Sequence, residues 1–284
     1  MSNFWARTIT GLSMVFILLI ALVFSGWVFA SIFLVIAILG LWEFYGLIAS
    51  DSCHPQKFYG TISGAILYMV FTYFLSTGNV YEEKYWSPLF LTPFLLIIPF
   101  IVLSFIFEIY RKRPNPLINI STTILGVLYI ALPLALLNAF SGNENPKFYG
   151  LPEVLVGYFI LTWFYDTAAY LYGKQFGKHK FFERISPKKS WEGTIAGGVI
   201  TIITAFGLSL LFVDFPPVDW IVLALIVLVF GTHGDLAESL IKRSLNVKDS
   251  GSILPGHGGI LDRFDTILIS APFVFLYFFF KNAI

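Results

Sequence analysis

Residues 234–265 carry Asp235, Glu238, Lys242, Arg243, Lys248, Asp249, Asp262, Arg263 and Asp265. Asp235, Glu238 and Lys242 are spaced by three and four, which puts two acids and a lysine on one face of a helix. Residues 248–259 cannot be regular helix, because they contain Pro255 and four glycines. Glycine lets backbone approach a ligand closely and present N–H groups, as phosphate loops do. Asp262 and Asp265 then lie three apart where helix restarts, again on one face. Acids, cations, a glycine loop and acids suit a divalent cation holding a polyphosphate, with Lys and Arg on the remaining oxygens. Upstream, Asp166 interrupts an apolar stretch, and Ser186-Pro187-Lys188-Lys189-Ser190-Trp191-Glu192-Gly193 adds two adjacent lysines before another apolar run.

The elements that must position these residues are transmembrane helices. Hydrophobic residues make up 57% of the 284-residue chain and charged residues 12%, against ~45–50% and ~25% in soluble domains. So few charges cannot clothe a water-soluble globule, and so much apolar surface excludes a disordered chain. Cys53 is the only cysteine, which excludes a disulfide scaffold. Crossing ~30 Å of hydrocarbon takes ~20 mostly apolar residues. Nine stretches qualify, with soft ends: 11–25, 27–48, 60–77, 88–108, 119–140, 151–172, 193–213, 219–237 and 265–281. The first is short. It is read as a span rather than a signal-peptide core, because its apolar character continues into the second and no small-residue cleavage site intervenes. The expected fold is therefore an all-α polytopic integral membrane protein of about nine helices. With the N-terminus cytoplasmic, 15 Lys and Arg residues fall inside and three, Lys84, Lys147 and Lys281, outside, as the positive-inside rule requires.

The charges are unevenly spread. Residues 166–192 and 235–265 carry nine each, on two loops of the same side, 173–192 and 238–264. Residues 1–140 are read as a helical scaffold without identifiable chemistry, and 141–284 as the catalytic region. Carboxylates at the edge of hydrocarbon cost several kcal/mol unless paired or metal-bound, so Asp166, Asp235, Asp262 and Asp265 are functional candidates. The blander reading, a salt-bridged helix end, is weaker for four acids than for one. Arg111-Lys112-Arg113 reads as a positive-inside anchor, and Lys174, Lys178 and Lys180 as a solvated, headgroup-facing loop. Walker, zincin and nucleophile-elbow motifs are absent. Four scattered histidines with one cysteine make no zinc set.

Ser239-Leu240-Ile241-Lys242-Arg243, Lys248-Asp249, Pro255-Gly256-His257-Gly258-Gly259 and Asp262-Arg263-Phe264-Asp265 together resemble the signature of the phosphatidate cytidylyltransferase (CDP-diacylglycerol synthase) family. The likeness runs from 239 to 265 without a gap. Residues 186–193, and Asp166-Thr167-Ala168-Ala169-Tyr170, resemble further stretches of that family. The first 140 residues are similar only in being apolar. The resemblance implies CTP and phosphatidate as substrates, CDP-diacylglycerol and pyrophosphate as products, and Mg²⁺, which a monovalent cation such as K⁺ can accompany. Phosphatidate would be drawn from the inner leaflet of the cell's plasma membrane, at an active site facing the cytoplasm.

The attacking phosphate is already an oxyanion, so the demand is electrostatic rather than for a strong base. Asp235 and Asp262 are accordingly expected to bind metal, with Asp249 and Asp265 as weaker candidates. Lys242 and Arg263 complete the expected catalytic set. Lys188, Lys189, Ser190, Arg243, Lys248, Gly256, His257, Gly258, Gly259 and Asp166 are expected to bind substrate. Membrane lipids are expected partners, nucleic acid is not, and a homodimer is left open. Two other readings stay open. One is a related CTP-dependent enzyme, of the CDP-archaeol synthase or polyprenol kinase type. The other is an ion-coupled transporter, which inverted repeats would favour.

Overall fold

Inside a bilayer, backbone N–H and C=O groups find no water, so apolar runs must satisfy them internally as helix. The computed structural model describes residues 20–21, 25–77, 93–141, 152–253 and 258–283. Among these, eight helices are long and apolar enough to cross a membrane. They are α1 (Gly26–Ile48), α2 (Lys57–Thr77), α3 (Pro93–Arg111), α4 (Pro116–Phe140), α5 (Pro152–Phe176), α6 (Trp191–Leu211), α7 (Pro217–Ser244) and α8 (Leu261–Ala283). The expected span 11–25 falls almost wholly outside the described residues, as do Arg7, Lys84, Lys147, Gly256 and His257. Among the described residues the chain is helical but for a short antiparallel hairpin, β1 (Lys180–Phe182) and β2 (Ser186–Ser190), pairing Lys180 with Ser190 and Phe182 with Ser186, and an isolated bridge between Ser50 and Cys53.

The chain forms two compact units. One comprises the described residues up to Pro152 together with Asp249–Arg263. In it, Ser25 caps α1 by accepting from the Val28 amide at 3.2 Å. Helices in lipid gain nothing from burying one apolar face against another, so close packing and hydrogen bonds hold them. Tyr45 illustrates both. Its ring lies where a side chain at Gly60 or Gly126 would collide with it, and its hydroxyl donates to the Thr123 carbonyl at 2.7 Å. Helix α4 widens into a π-turn over Val127–Ala131, ahead of Pro133. Proline has no N–H to return to the preceding turn, and the wider turn accommodates that gap.

The other unit comprises Glu153–Lys248 and Phe264–Ile284. Tyr158 on α5 meets Ser270 on α8 through a 2.5 Å hydroxyl contact, and the Trp220 ring of α7 lies over Gly157 of α5, where no Cβ would fit. Asp219 is buried with Tyr277 and Lys281 as its partners. A second π-turn, Val227–Gly231, interrupts α7. Thr232 Oγ1 donates to the Leu228 carbonyl at 2.5 Å, taking the acceptor that a regular helix reserves for the Thr232 amide, and the helix opens there.

Candidate active site

In the second unit, α7 and α8 touch backbone to backbone. A Cβ on Gly231 would lie 2.7 Å from Thr266 Cγ2, and one on Gly234 would strike the Asp265 carbonyl and lie 3.1 Å from Thr266 Cα. Only glycine permits this approach. Its consequence is that Asp235 and Glu238 of α7 come beside Asp265 of α8. One ligand oxygen from each lies within 4.8 Å of the other two.

Two lysines offset this charge. Lys189 from the end of β2 pairs with Asp235 Oδ2. Lys242, one turn beyond Glu238 on α7, pairs with Glu238 Oε2 at 2.5 Å, with the two side chains 12% and 3% exposed. Ser239 Oγ lies 3.5 Å from Asp235 Oδ1. Asp166, exposed on α5, lies in the fields of Asp235 and Lys189. Three hard oxygen donors at this separation, one of them buried, fit a divalent cation, and the adjacent ammonium groups fit an anion brought to it.

Small residues also set the position of Lys189. Gly193 of α6 approaches the Ala169 carbonyl and the Gly173 backbone of α5, and Gly177 abuts Ser190. Ser190 is buried and caps α6, its Oγ accepting from the Gly193 amide at 3.2 Å. Glu192 ties the approach to the hairpin by accepting from the Lys178 and His179 amides at 3.1 and 3.2 Å. Lys189 is half-buried and pairs with Asp235, whereas its strand neighbour Lys188 is exposed. Arg243 and Lys248 are exposed, with Arg243 Nη1 3.4 Å from the Val247 carbonyl.

The remaining signature residues belong to the first unit. There residues 249–253 and 258–263 are organised by a residue the sequence did not single out. Glu43, in the body of α1 and 7% exposed, accepts from Ser250 Oγ at 2.6 Å, the Ile260 amide at 2.9 Å and the Leu261 amide at 3.1 Å. Gly251 and Gly259 pack directly on its carboxylate. Asp262 Oδ2 accepts from the Ser250 and Gly259 amides, both at 2.9 Å. Gly258 takes φ +84°, a conformation side chains disfavour. Asp249 and Arg263 are exposed. Thus Asp235 is joined by Glu238 and Asp265, while Asp262 anchors its own loop. A charge in the middle of an apolar span was the one available signal for Glu43.

Arg111 also does more than mark a membrane face. It pairs with Glu108 at 2.7 Å and donates to the His54 carbonyl at 2.9 Å. Glu108, buried, further accepts from Gln56 Nε2 and Asn119 Nδ2, each at 2.7 Å. This network ties α2, α3 and α4 together.

The chain is similar to known proteins. The profile of the cytidylyltransferase family matches residues 5–281. The phosphatidate cytidylyltransferase of Staphylococcus aureus is 41% identical over 180 residues, 63% of this chain. That of Staphylococcus haemolyticus is 38% identical over the same length. The chain spans 65% of the length of these staphylococcal relatives. The phosphatidate cytidylyltransferase of Haemophilus influenzae is 30% identical over 297 residues, covering 96% of this chain and 98% of that protein. With its profile matched almost end to end and a relative aligned over nearly its full length, this chain belongs to the cytidylyltransferase family.

Proposed function

We propose that this protein is a phosphatidate cytidylyltransferase of the cell's inner membrane, converting CTP and phosphatidate into CDP-diacylglycerol and pyrophosphate on the cytoplasmic face. The observation that carries this reading is the cluster of Asp235, Glu238 and Asp265, flanked by Lys189 and Lys242, within a unit built of membrane-spanning helices. A phosphatidate oxygen attacks the α-phosphorus of CTP. A new P–O bond forms, the α–β bridging bond breaks, and pyrophosphate departs with the bonding electrons.

Every participant is anionic, so the protein's task is to hold negative groups together and stabilise the charge that leaves. Asp235, Glu238 and Asp265 would hold Mg²⁺, which would supply charge neutralisation at the phosphoryl oxygens, and a monovalent cation such as K⁺ can accompany it. Lys189 and Lys242 stand at the cluster's edge, each able to exchange its carboxylate partner for a phosphate oxygen. Ser190 keeps β2 and the start of α6 in register, which aims Lys189. On the strength of the family signature, Asp262 is kept for a metal ion with Asp249 as the weaker candidate, and Gly256, His257, Gly258, Gly259 and Arg263 are assigned to nucleotide phosphates. Lys188, Arg243 and Lys248 supply the exposed positive charge that attracts CTP.

The test is turnover by purified full-length protein in mixed micelles containing phosphatidate, CTP and Mg²⁺. CDP-diacylglycerol and pyrophosphate should appear in equal amounts. An archaeal-type ether lipid or a polyprenol accepting the transferred group in preference to phosphatidate would replace this reading with a sister activity. Substrate movement across vesicles without CTP consumption would replace it with transport.

A further inference from the structure

One groove lies beside the carboxylate cluster in the second unit and has no part in the chemistry above. It has a volume of about 410 Å³ and almost wholly apolar walls, within the ~300–1,000 Å³ typical of ligand sites. One wall is a stripe of α6, Thr194, Ile195, Gly198, Val199 and Ile202, and the other is the stretch of α7 from Leu228 to His233. Within it the two walls come close at Gly198, where a Cβ would lie 3.0 Å from both Leu228 methyl groups.

Its two ends differ. At one end Phe181 of the hairpin and Trp191 at the start of α6 meet edge to face, their ring centroids 4.4 Å apart. Trp191 directly follows Lys189-Ser190, and Thr232 on the facing wall stands one helical turn before Asp235, on the same side of α7. His233 Nδ1 must donate to the Val229 carbonyl, 2.6 Å away, because a carbonyl only accepts. From this end the groove follows α6 from Trp191 to Ile202, about 16 Å at 1.5 Å per residue. That is roughly half of the ~30 Å hydrocarbon core, the depth of one leaflet.

We infer that this groove seats one fatty acyl chain of the lipid substrate, with the lipid's phosphate at the Lys189–Asp235 end and the chain running down α6. The inference rests on the proposed activity and deepens it, since it makes Gly198, Val199 and Ile202 determinants of acyl-chain preference. Three features single out a substrate chain over bulk lipid. The groove is a concavity of about 410 Å³, not a flat helix face. It is one leaflet deep. Its aromatic end adjoins cations and carboxylates suited to a metal-bound phosphate. A chain held there stays in an apolar setting, avoiding the ~0.8 kcal/mol per CH₂ that exposure to water costs.

Val199 and Ile202 line the groove, whereas the exposed Ile203 on the same helix does not. Val199→Trp and Ile202→Phe fill the groove, and Ile203→Trp adds the same kind of bulk outside it. The measurement is the ratio of kcat/KM for dipalmitoyl to dioctanoyl phosphatidate in mixed micelles, at saturating CTP. The two groove-filling variants should lower this ratio at least fivefold while keeping dioctanoyl turnover, which also reports a folded enzyme. Ile203→Trp should leave the ratio at the wild-type value. An unchanged ratio in both groove variants, or an equal fall for both chain lengths, overturns the groove assignment and leaves the activity standing. A wild-type protein that turns over neither lipid overturns the activity, and the groove assignment with it.

Discussion

Replacing Glu43 by glutamine changes one oxygen for an NH₂ group and leaves the shape of α1 intact. Two of the three bonds that Glu43 accepts converge on Oε1, from Ser250 Oγ and the Leu261 amide, and the third, from the Ile260 amide, goes to Oε2. The better glutamine rotamer keeps its oxygen at the first position. Its NH₂ then faces the Ile260 N–H, donor against donor. One bond to a charged acceptor disappears, worth ~1.5–3 kcal/mol, and the two survivors become neutral bonds of ~0.5–1.5 kcal/mol. Ile260 is buried, so water cannot replace the lost partner cheaply. The expected loss in local stability around residues 249–253 and 258–263 is about 4–5 kcal/mol, a thousandfold or more in the opening equilibrium. Hydrogen exchange read by mass spectrometry on peptides covering 258–263 should accelerate by that order, while peptides from α6 keep wild-type protection. CTP turnover should fall with the loop's occupancy of its closed form. Wild-type exchange at 258–263 in a folded Glu43→Gln protein would refute the claim that this carboxylate holds the loop.

The other expectations follow from the second unit and from the network on α3. Asp235→Asn should lower kcat by about a hundredfold or more, since an amide binds Mg²⁺ poorly, and activity within twofold of wild type would remove Asp235 from the metal site. Lys189→Gln should lose at least ~10-fold in kcat/KM, and wild-type kinetics would mean that its pairing with Asp235 has no bearing on the reaction. Gly234→Ala should cost ~1–3 kcal/mol in thermal unfolding and reduce turnover, because the new methyl must part α7 from the α8 backbone; an unchanged Tm and rate would contradict the backbone contact. Arg111→Lys keeps the charge that a membrane anchor needs but cannot reproduce the guanidinium fork. It should therefore lose ~1–2 kcal/mol in thermal unfolding, and full stability would return Arg111 to the role of a simple anchor.

The sequence by itself determined what depends on near neighbours along the chain. Each apolar run declares a span within its own twenty or so residues, which is why eight of the nine expected stretches reappear as helices among the described residues. The spacing of Asp235, Glu238 and Lys242 placed them on one helix face for the same reason, and the uninterrupted signature from 239 to 265 was enough to recognise the family. The hairpin was not legible: Phe181 and Phe182 sit among charged residues and resemble a loop until Ser190 and Lys180 pair. Tertiary structure alone decided which acids meet. Asp262 and Asp265 look equivalent in sequence, three apart on one helix, yet Asp262 accepts two amides of its own loop while Asp265 faces Asp235 and Glu238. That choice is made by Gly231 and Gly234, whose missing side chains let two helices touch. Glu43 makes the same point at longer range. Its partners lie 207 to 218 residues away, and an unpaired charge in a span signals only that some partner must exist. Which partner it has is set by packing, because a buried carboxylate takes its donors from whatever backbone the fold brings within 3 Å.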